Sequence, residues 1–338
     1  MRAAVYHQPG RPWSIETVPD PVPGVGEAVL RVGRCGICGS DVSMTSGKVE
    51  GFCLPTGVPL GHEFCGEVVA LGEGVTNLRL GQMVSAMPLA GCGHCRECRA
   101  GQHMLCRERA SYRGGMAEYV RVGAKASVVL PAALSLADGA LVEPLAVAFH
   151  AVRFAQMPKG ARVLVTGVGA VGLGAIYWAR QLGAGPLAAL SRTARRADLA
   201  LAMGADRFVT GGPDELGEVI EALGGEPDFI FECVGVPGAL MQAIRHVGPD
   251  GTVVSLGFCG EPEPFDSLTS TLKQVRLLFS FGYTLGEFRE VVDRIDAGAV
   301  EPRAMVSTVI GLAEVPAMIE SLRSGSVATK VHVDPWLA

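Results

Sequence analysis

Two sets of residues in this chain could hold a metal, and one glycine pattern could hold a nucleotide. The first metal set is compact. In CGHCRECRAGQHMLC, Cys92, Cys95, Cys98 and Cys106 are spaced C-x2-C-x2-C-x7-C. Four thiolates complete a tetrahedral zinc and leave no open position, so such a site is structural. His94 and His103 lie inside the loop, but four sulfurs suffice without them. An iron–sulfur cluster can use four cysteines too, although a β-rich setting beside a nucleotide fold favours zinc. The second set is dispersed: Cys38 in GICGSD, His62 and Glu63 in GHEF, and Glu143 in LVEPLAVAFH. Each alone has an ordinary reading. A buried cysteine is usually a small apolar group, His62 a satisfied core histidine, and Glu143 a helix cap just before Pro144. The chain has ten cysteines, and MRAAVYHQPG shows no apolar signal segment. Clustered cysteines then mean metal more often than disulfides.

In VLVTGVGAVGLG, Gly167, Gly169 and Gly172 form G-x-G-x-x-G after a strand pattern and at the opening of a helix. The first glycine makes the tight turn, the second lets the backbone approach a pyrophosphate, and the third lets helix and strand pack. The helix N-terminus adds free N–H groups and partial positive charge. The same rule asks for an acid about 20 residues on, to bind the ribose diol of NAD. Here Ser191 stands 19 residues after Gly172, followed by Arg192, Arg195 and Arg196. A carboxylate would repel the extra 2′-phosphate of NADP by about 4 kcal/mol per pair of unit charges, at about 4 Å and an effective dielectric of about 20. Ser191 removes that repulsion and offers a hydroxyl. Arg192 can pair with the phosphate for roughly 1.5–3 kcal/mol. The pair predicts NADP as coenzyme. Arg196 is a further candidate for the phosphate, with a solvated helix face as the competing reading.

Two kinds of fold must position these residues. Residues 1 to about 145 read as short β segments broken by Gly and Pro: AAVYH, EAVLRVGRC, FCGEVVALG, QMVSAMP and AEYVRV. That is a barrel-type pattern. From about 147 the strands RVLVTG, PLAAL, RFVT, DFIFECVG and GTVVSLG alternate with helical stretches. Such alternation means a parallel sheet with covered faces. The last fifty or so residues read as a return to the first domain. The predicted class is therefore α/β, with a Rossmann coenzyme domain over 147–286 and a β-barrel-type catalytic domain over 1–146 and 287–338. A length of 338 residues accommodates two cores. Hydrophobic residues at 49% and charged residues at 19% describe a globular chain. A net charge of -5 argues against a nucleic-acid partner. Glycines interrupt Val163 to Ala179, which reads as strand, turn and helix and not as a membrane span. The expectation is a cytoplasmic protein with no membrane partner.

In this order, CGICGSD, GHEFCGEV, the four-cysteine loop, EPLAVAFHA, GVGAVGLG, FECVG and SFGYTLGEF resemble the zinc-dependent medium-chain alcohol dehydrogenases, especially the branch with sorbitol and threonine dehydrogenases. The resemblance covers essentially the whole chain. It implies a GroES-like catalytic domain, a catalytic and a structural zinc, and a homo-oligomer, tetramer or dimer. It assigns Cys38 and His62 as catalytic zinc ligands. Glu63 and Glu143 are the remaining carboxylates, one or both bound directly or through water. Asp41 resembles the acid that orients the zinc histidine, and Ser40 the hydroxyl that passes the alcohol proton outward. Relatives often carry a histidine five residues after the zinc cysteine, where this chain has Ser43. Val171 would back the nicotinamide. Val234, Gly235, Leu256, Gly257 and Phe258 match the loops around its ribose and ring, and Lys330 a basic residue near the pyrophosphate. The implied reaction moves a hydride between NADP(H) and an alcohol or ketone, with zinc as Lewis acid in a cleft between the domains. An apolar wall of Phe52, Pro88, Phe258 and Phe281 would suit a secondary alcohol, whereas the branch suggests polyols.

Overall fold

The structure is a computed structural model describing residues 1–47, 54–297 and 301–337, so Phe52 lies outside the described residues. Its first part is strand-rich: β1 (Arg2–Tyr6), β2 (Ser14–Thr17), β3 (Glu27–Gly36), α1 (Gly39–Met44), β4 (Val58–Pro59), β5 (Glu63–Leu71), β6 (Met83–Ala86), β7 (Leu89–Ala90), α2 (Arg96–Arg99), β8 (Ala110–Ser111), β9 (Tyr119–Gly123), β10 (Ser127–Val129) and α3 (Leu136–Phe154). Alternation follows: β11 (Val163–Thr166), α4 (Ala170–Gln181), β12 (Leu187–Ser191), α5 (Ala197–Ala202), β13 (Arg207–Thr210), α6 (Glu215–Leu223), β14 (Phe229–Glu232), α7 (Ala239–His246), β15 (Thr252–Ser255), α8 (Ser267–Leu272) and β16 (Arg276–Phe279). The chain ends with α9 (Leu285–Asp296), β17 (Val306–Gly311), α10 (Val315–Arg323) and β18 (Lys330–Asp334).

The chain divides into two compact units, 1–146 with 283–338, and 147–282. The second junction falls a few residues before the 286/287 expected from sequence. Tyr283 and Thr284 belong with the strand-rich unit: Thr284 caps α9 in a capping box with Glu287, and Tyr283 is buried there. In this unit the strand order is β10-β6-β5-β3-β18-β17, with β9 paired to β3. β1 joins β2 and β4 in a smaller sheet. Leu30, Phe64, Met116, Ile319 and Val333 lie in its core. β3 and β5 are buried at most of their positions, and the partial exposure of β5 collects at its far end. Two register facts position the site: Gly36 of β3 stands opposite Glu63 of β5 and also opposite His332 of β18.

The other unit is a six-stranded sheet in the order β13-β12-β11-β14-β15-β16, parallel throughout. VLVT of β11 and FIFE of β14 are buried at every position, as strands covered on both faces must be. The strand order reverses between β11 and β14, where open α/β sheets bind ligands beyond the carboxyl ends. Leu164, Leu190, Ile230, Ile244 and Val253 share its core.

Candidate active site

α1 has six residues, too few to be stable alone, and its surroundings hold it. Cys38 is its N-cap. The Cys38 sulfur accepts the Ser40 N–H at 3.5 Å, and Asp41 Oδ2 accepts the Cys38 N–H at 3.0 Å. At the other end the buried Thr45 donates its hydroxyl to the Asp41 carbonyl at 2.5 Å. Arg323 of α10 donates to the Thr45 carbonyl and hydroxyl at 2.8 and 2.6 Å. The same Asp41 places Oδ1 3.2 Å from His62 Nδ1. This is an ion-pair contact and not an aligned hydrogen bond. The other ring nitrogen, Nε2, lies 3.5 Å from Ser40 Oγ.

His62 and Glu63 enter from the start of β5. A side chain at Gly36, directly across the ladder, would overlap the Glu63 carboxylate. Glu63 is 1% exposed, and Lys330 Nζ donates to both of its oxygens at 2.8 and 2.6 Å and to the Ile37 carbonyl at 3.2 Å. Lys330, expected near a pyrophosphate, is therefore spent elsewhere. An ammonium 3% exposed needs a charged partner, because breaking such a pair leaves an uncompensated buried charge costing about 3–5 kcal/mol.

Glu143 sits on α3, whose helix runs on through Pro144, so it is not the helix cap that its neighbour suggested. It is buried, and Tyr283 donates its hydroxyl to Glu143 Oε1 at 2.9 Å. Burial pushes the Glu143 carboxyl up to about 7; Glu63 adds to this, while His62 and the Tyr283 hydroxyl oppose it. Burial likewise holds the Tyr283 phenol well above its ordinary value. No sequence signal marks Tyr283, which lies inside SFGYTLGEF.

One ligand atom each from Cys38, His62 and Glu63 lie within 4.8 Å of one another, while Glu143 is not part of that tight group. A thiolate, an imidazole and a carboxylate are a fitting zinc donor set with a position left open. The four cysteines fit a closed site better still. Cys92, Cys95, Cys98 and Cys106 bring their sulfurs within 4.8 Å of one another, and Cys92 and Cys98 are 4.0 Å apart. Tetrahedral zinc with bonds of about 2.3 Å asks for roughly 3.8 Å. Backbone N–H groups point at two sulfurs, Cys92 to Cys106 and Cys98 to Cys95, each at 3.4 Å, which favours thiolate. His94 is exposed and faces Glu108 at 3.5 Å.

In the parallel-sheet unit the glycines behave as a nucleotide loop requires. Gly167 has φ +82°, a conformation that disfavours a side chain. A Cβ on Gly172 would overlap the Gly167 carbonyl. Gly169 is the N-cap of α4, with open space where a side chain would stand, and Val171 lies in the helix's first turn. Ser191 ends β12, next to β11, and Arg192 is exposed beyond it. Arg196 turns back to this loop, donating Nη1 to the Val168 carbonyl at 3.2 Å. Val234 follows β14, and Leu256 and Phe258 follow β15, all at the carboxyl edge of the sheet. Of the apolar wall, Pro88 is buried in the strand-rich unit, and Phe258 and Phe281 are exposed residues of the other.

These features are those of a two-domain metal-dependent dehydrogenase. The alcohol dehydrogenase GroES-like domain family matches residues 24–132, and the zinc-binding dehydrogenase family matches residues 170–297. L-threonine 3-dehydrogenase of Saccharopolyspora erythraea is 32% identical over 85% of each chain. Sorbitol dehydrogenase of Bacillus subtilis is 28% identical over 99% of this chain and 97% of its own. A crystal structure of a Sinorhizobium meliloti 1021 protein bound to NADP is 33% identical over 99% of each chain, with a TM-score of 0.89. The chain belongs to the zinc-binding medium-chain alcohol dehydrogenases, on the branch of the sorbitol, threonine and xylulose dehydrogenases. It is a zinc-dependent, NAD(P)-dependent alcohol or polyol dehydrogenase with a GroES-like and a Rossmann domain.

Proposed function

We propose that this enzyme prefers NADP(H) and oxidises a secondary alcohol, or reduces the matching ketone. The observation that carries the coenzyme choice is the end of β12, where Ser191 replaces an acid and Arg192 is exposed. Arg196 supports it by linking the arginine segment to the glycine loop. The NADP-bound relative lends the same support. The substrate reading rests on the relatives: threonine carries a secondary hydroxyl at the carbon its 3-dehydrogenase names. Sorbitol as a relative's substrate favours the polyol alternative.

Cys38, His62 and Glu63 would hold the catalytic metal, with Glu143 behind them, and the four cysteines the structural one. Zinc, when bound, supplies Lewis acidity to the substrate oxygen. The chain's own groups do the rest. Asp41 fixes the His62 ring through Nδ1. Ser40 Oγ, beside that ring, passes the alcohol proton outward; Ser43 offers no imidazole to continue the relay, so the proton ends in water or leaves by another route. Lys330 Nζ donates to both Glu63 oxygens and holds that carboxyl group in place. Gly167, Gly169 and Gly172 let the backbone approach the pyrophosphate. The homo-oligomer implied by the family finds support in β16. Among the described residues, β16 pairs only with β15, and Leu268, Leu272 and Phe279 nearby are exposed.

The test is one panel of secondary alcohols, polyols and ketones, followed by nicotinamide absorbance with both coenzymes. It is run on the wild type and on Ser191→Asp with Arg192→Leu. The wild type is expected to favour NADP, and the double variant to shift the NADP/NAD ratio of kcat/KM by about a hundredfold. An unchanged ratio removes the phosphate assignment, and turnover confined to polyols selects the alternative substrate class.

A further inference from the structure

Four backbone N–H groups converge on one residue at the carboxyl edge of the parallel sheet. Glu232, the last residue of β14, is 2% exposed. Its side-chain Oε1 accepts the N–H of Val234 at 2.6 Å and of Gly235 at 2.9 Å. Its main-chain carbonyl accepts the N–H of Leu256 at 2.8 Å and of Gly257 at 2.9 Å. The side chain thus ties down the loop after β14, and the carbonyl ties down the loop after β15. These loops press together. A Cβ on Gly257 would overlap the Gly235 nitrogen and stand 2.6 Å from Glu232 Oε2, and a Cβ on Gly235 would stand 2.5 Å from the Phe258 nitrogen. Gly235 has φ +67°. Loop backbone at a sheet edge ordinarily bonds to water; here a buried carboxylate takes that place. Such a group costs stability unless its oxygens are used, and burial does push the Glu232 carboxyl above its ordinary value against the two N–H donors.

We infer that Glu232 is a positioning residue for the nicotinamide half of the coenzyme, fixing in one geometry the two loops that present Val234, Leu256 and Phe258. This rests on the coenzyme site proposed above, and it adds a buried residue that would act through the two loops. Its effect should be confined to one half of the dinucleotide. The adenosine half would be held at the end of β12, which β11 separates from β14 in the sheet.

The experiment titrates NADPH, NADH and adenosine 2′,5′-bisphosphate into full-length wild type, Glu232→Gln and Glu232→Ala, well below their melting temperatures, without substrate. In Glu232→Ala, NADPH binding should weaken by about tenfold or more while adenosine 2′,5′-bisphosphate stays within about twofold. Glu232→Gln keeps an oxygen that can accept both N–H bonds and should stay within about threefold for both ligands. Should Glu232→Ala not fold, Gly257→Ala displaces the same loops and is expected to show the same selective loss. Equal weakening of both ligands would assign Glu232 a merely structural role and overturn the inference, as would no weakening of either. A wild type that binds adenosine 2′,5′-bisphosphate but shows no gain from the nicotinamide half also overturns it. A wild type that binds neither dinucleotide overturns the coenzyme reading itself, and the inference with it.

Discussion

The strand-rich unit carries two groups of residues that could hold a metal, built on opposite plans. The four cysteines come from one loop, Cys92 to Cys106, and their sulfurs gather around short turns and α2. Cys38, His62 and Glu63 come from the cap of α1 and the start of β5, and the further carboxylate Glu143 comes from the middle of α3. The first cluster needs almost nothing beyond its own loop and leaves no donor position free. The second depends on ladder register, on a glycine across the sheet and on groups from β18 and from Tyr283. A closed local site stabilises; an open assembled site leaves room for a substrate and must be held from outside.

The largest expected effect breaks the assembled cluster. His62→Ala should lower turnover by about a thousandfold or more, leave NADPH binding unchanged, and reduce zinc from about two ions per chain to about one. Metal analysis with coenzyme titration checks this, and retained turnover would remove His62 from the chemistry. Cys106→Ser should also bring zinc down to about one, with the opposite consequence. Unfolding free energy should fall by at least about 3 kcal/mol, while kcat of the remaining folded enzyme stays within a few fold. If Cys106→Ser silences the folded enzyme without destabilising it, the two clusters do not divide their roles as their construction indicates.

The same contrast decides what was legible in the sequence. The four-cysteine loop could be read directly because its ligands share one short stretch and the spacing carries the geometry. The parallel sheet was legible from alternation, and the glycine loop from its place after β11. Cys38, His62 and Glu143 gained meaning only through resemblance to a family, since nothing local relates a helix cap, a strand start and a helix interior. The partners that complete the cluster were out of reach. Lys330 meets Glu63 across 267 residues and Tyr283 meets Glu143 across 140. Both contacts depend on where β18 and the returning chain pack. The family resemblance places Lys330 near a pyrophosphate, whereas its ammonium is bonded to Glu63. Glu232 carries no signal in the sequence, because FECVG reads as a buried strand with one acid and a carboxylate used on backbone N–H groups leaves no pattern.

The smallest expected effect tests how far the assembled cluster relies on its supports. Five residues before Glu143, Asp138 anchors the start of α3. Its Oδ2 accepts the N–H and hydroxyl of Ser135 at 2.8 and 2.7 Å, and Arg303 donates to both its oxygens at 2.9 and 2.6 Å. Burial opposes the charge, but Arg303 and Ser135 outweigh it and hold the Asp138 carboxyl below its ordinary value. A depressed carboxyl contributes stability that is fully present above the unfolded value of about 3.9 and is lost as pH falls through the folded value. Asp138→Asn should therefore cost about 1.5–3 kcal/mol at pH 7, where charged hydrogen bonds are lost, and the gap to wild type should narrow below about pH 4. Urea unfolding at pH 7, 4 and 3 measures it. A gap that stays constant across that range would mean that the charge on Asp138 does not secure α3. Because the four-cysteine loop makes no use of this anchor, the variant should bind structural zinc as the wild type does, and any weakening should fall on the metal held by Cys38, His62 and Glu63.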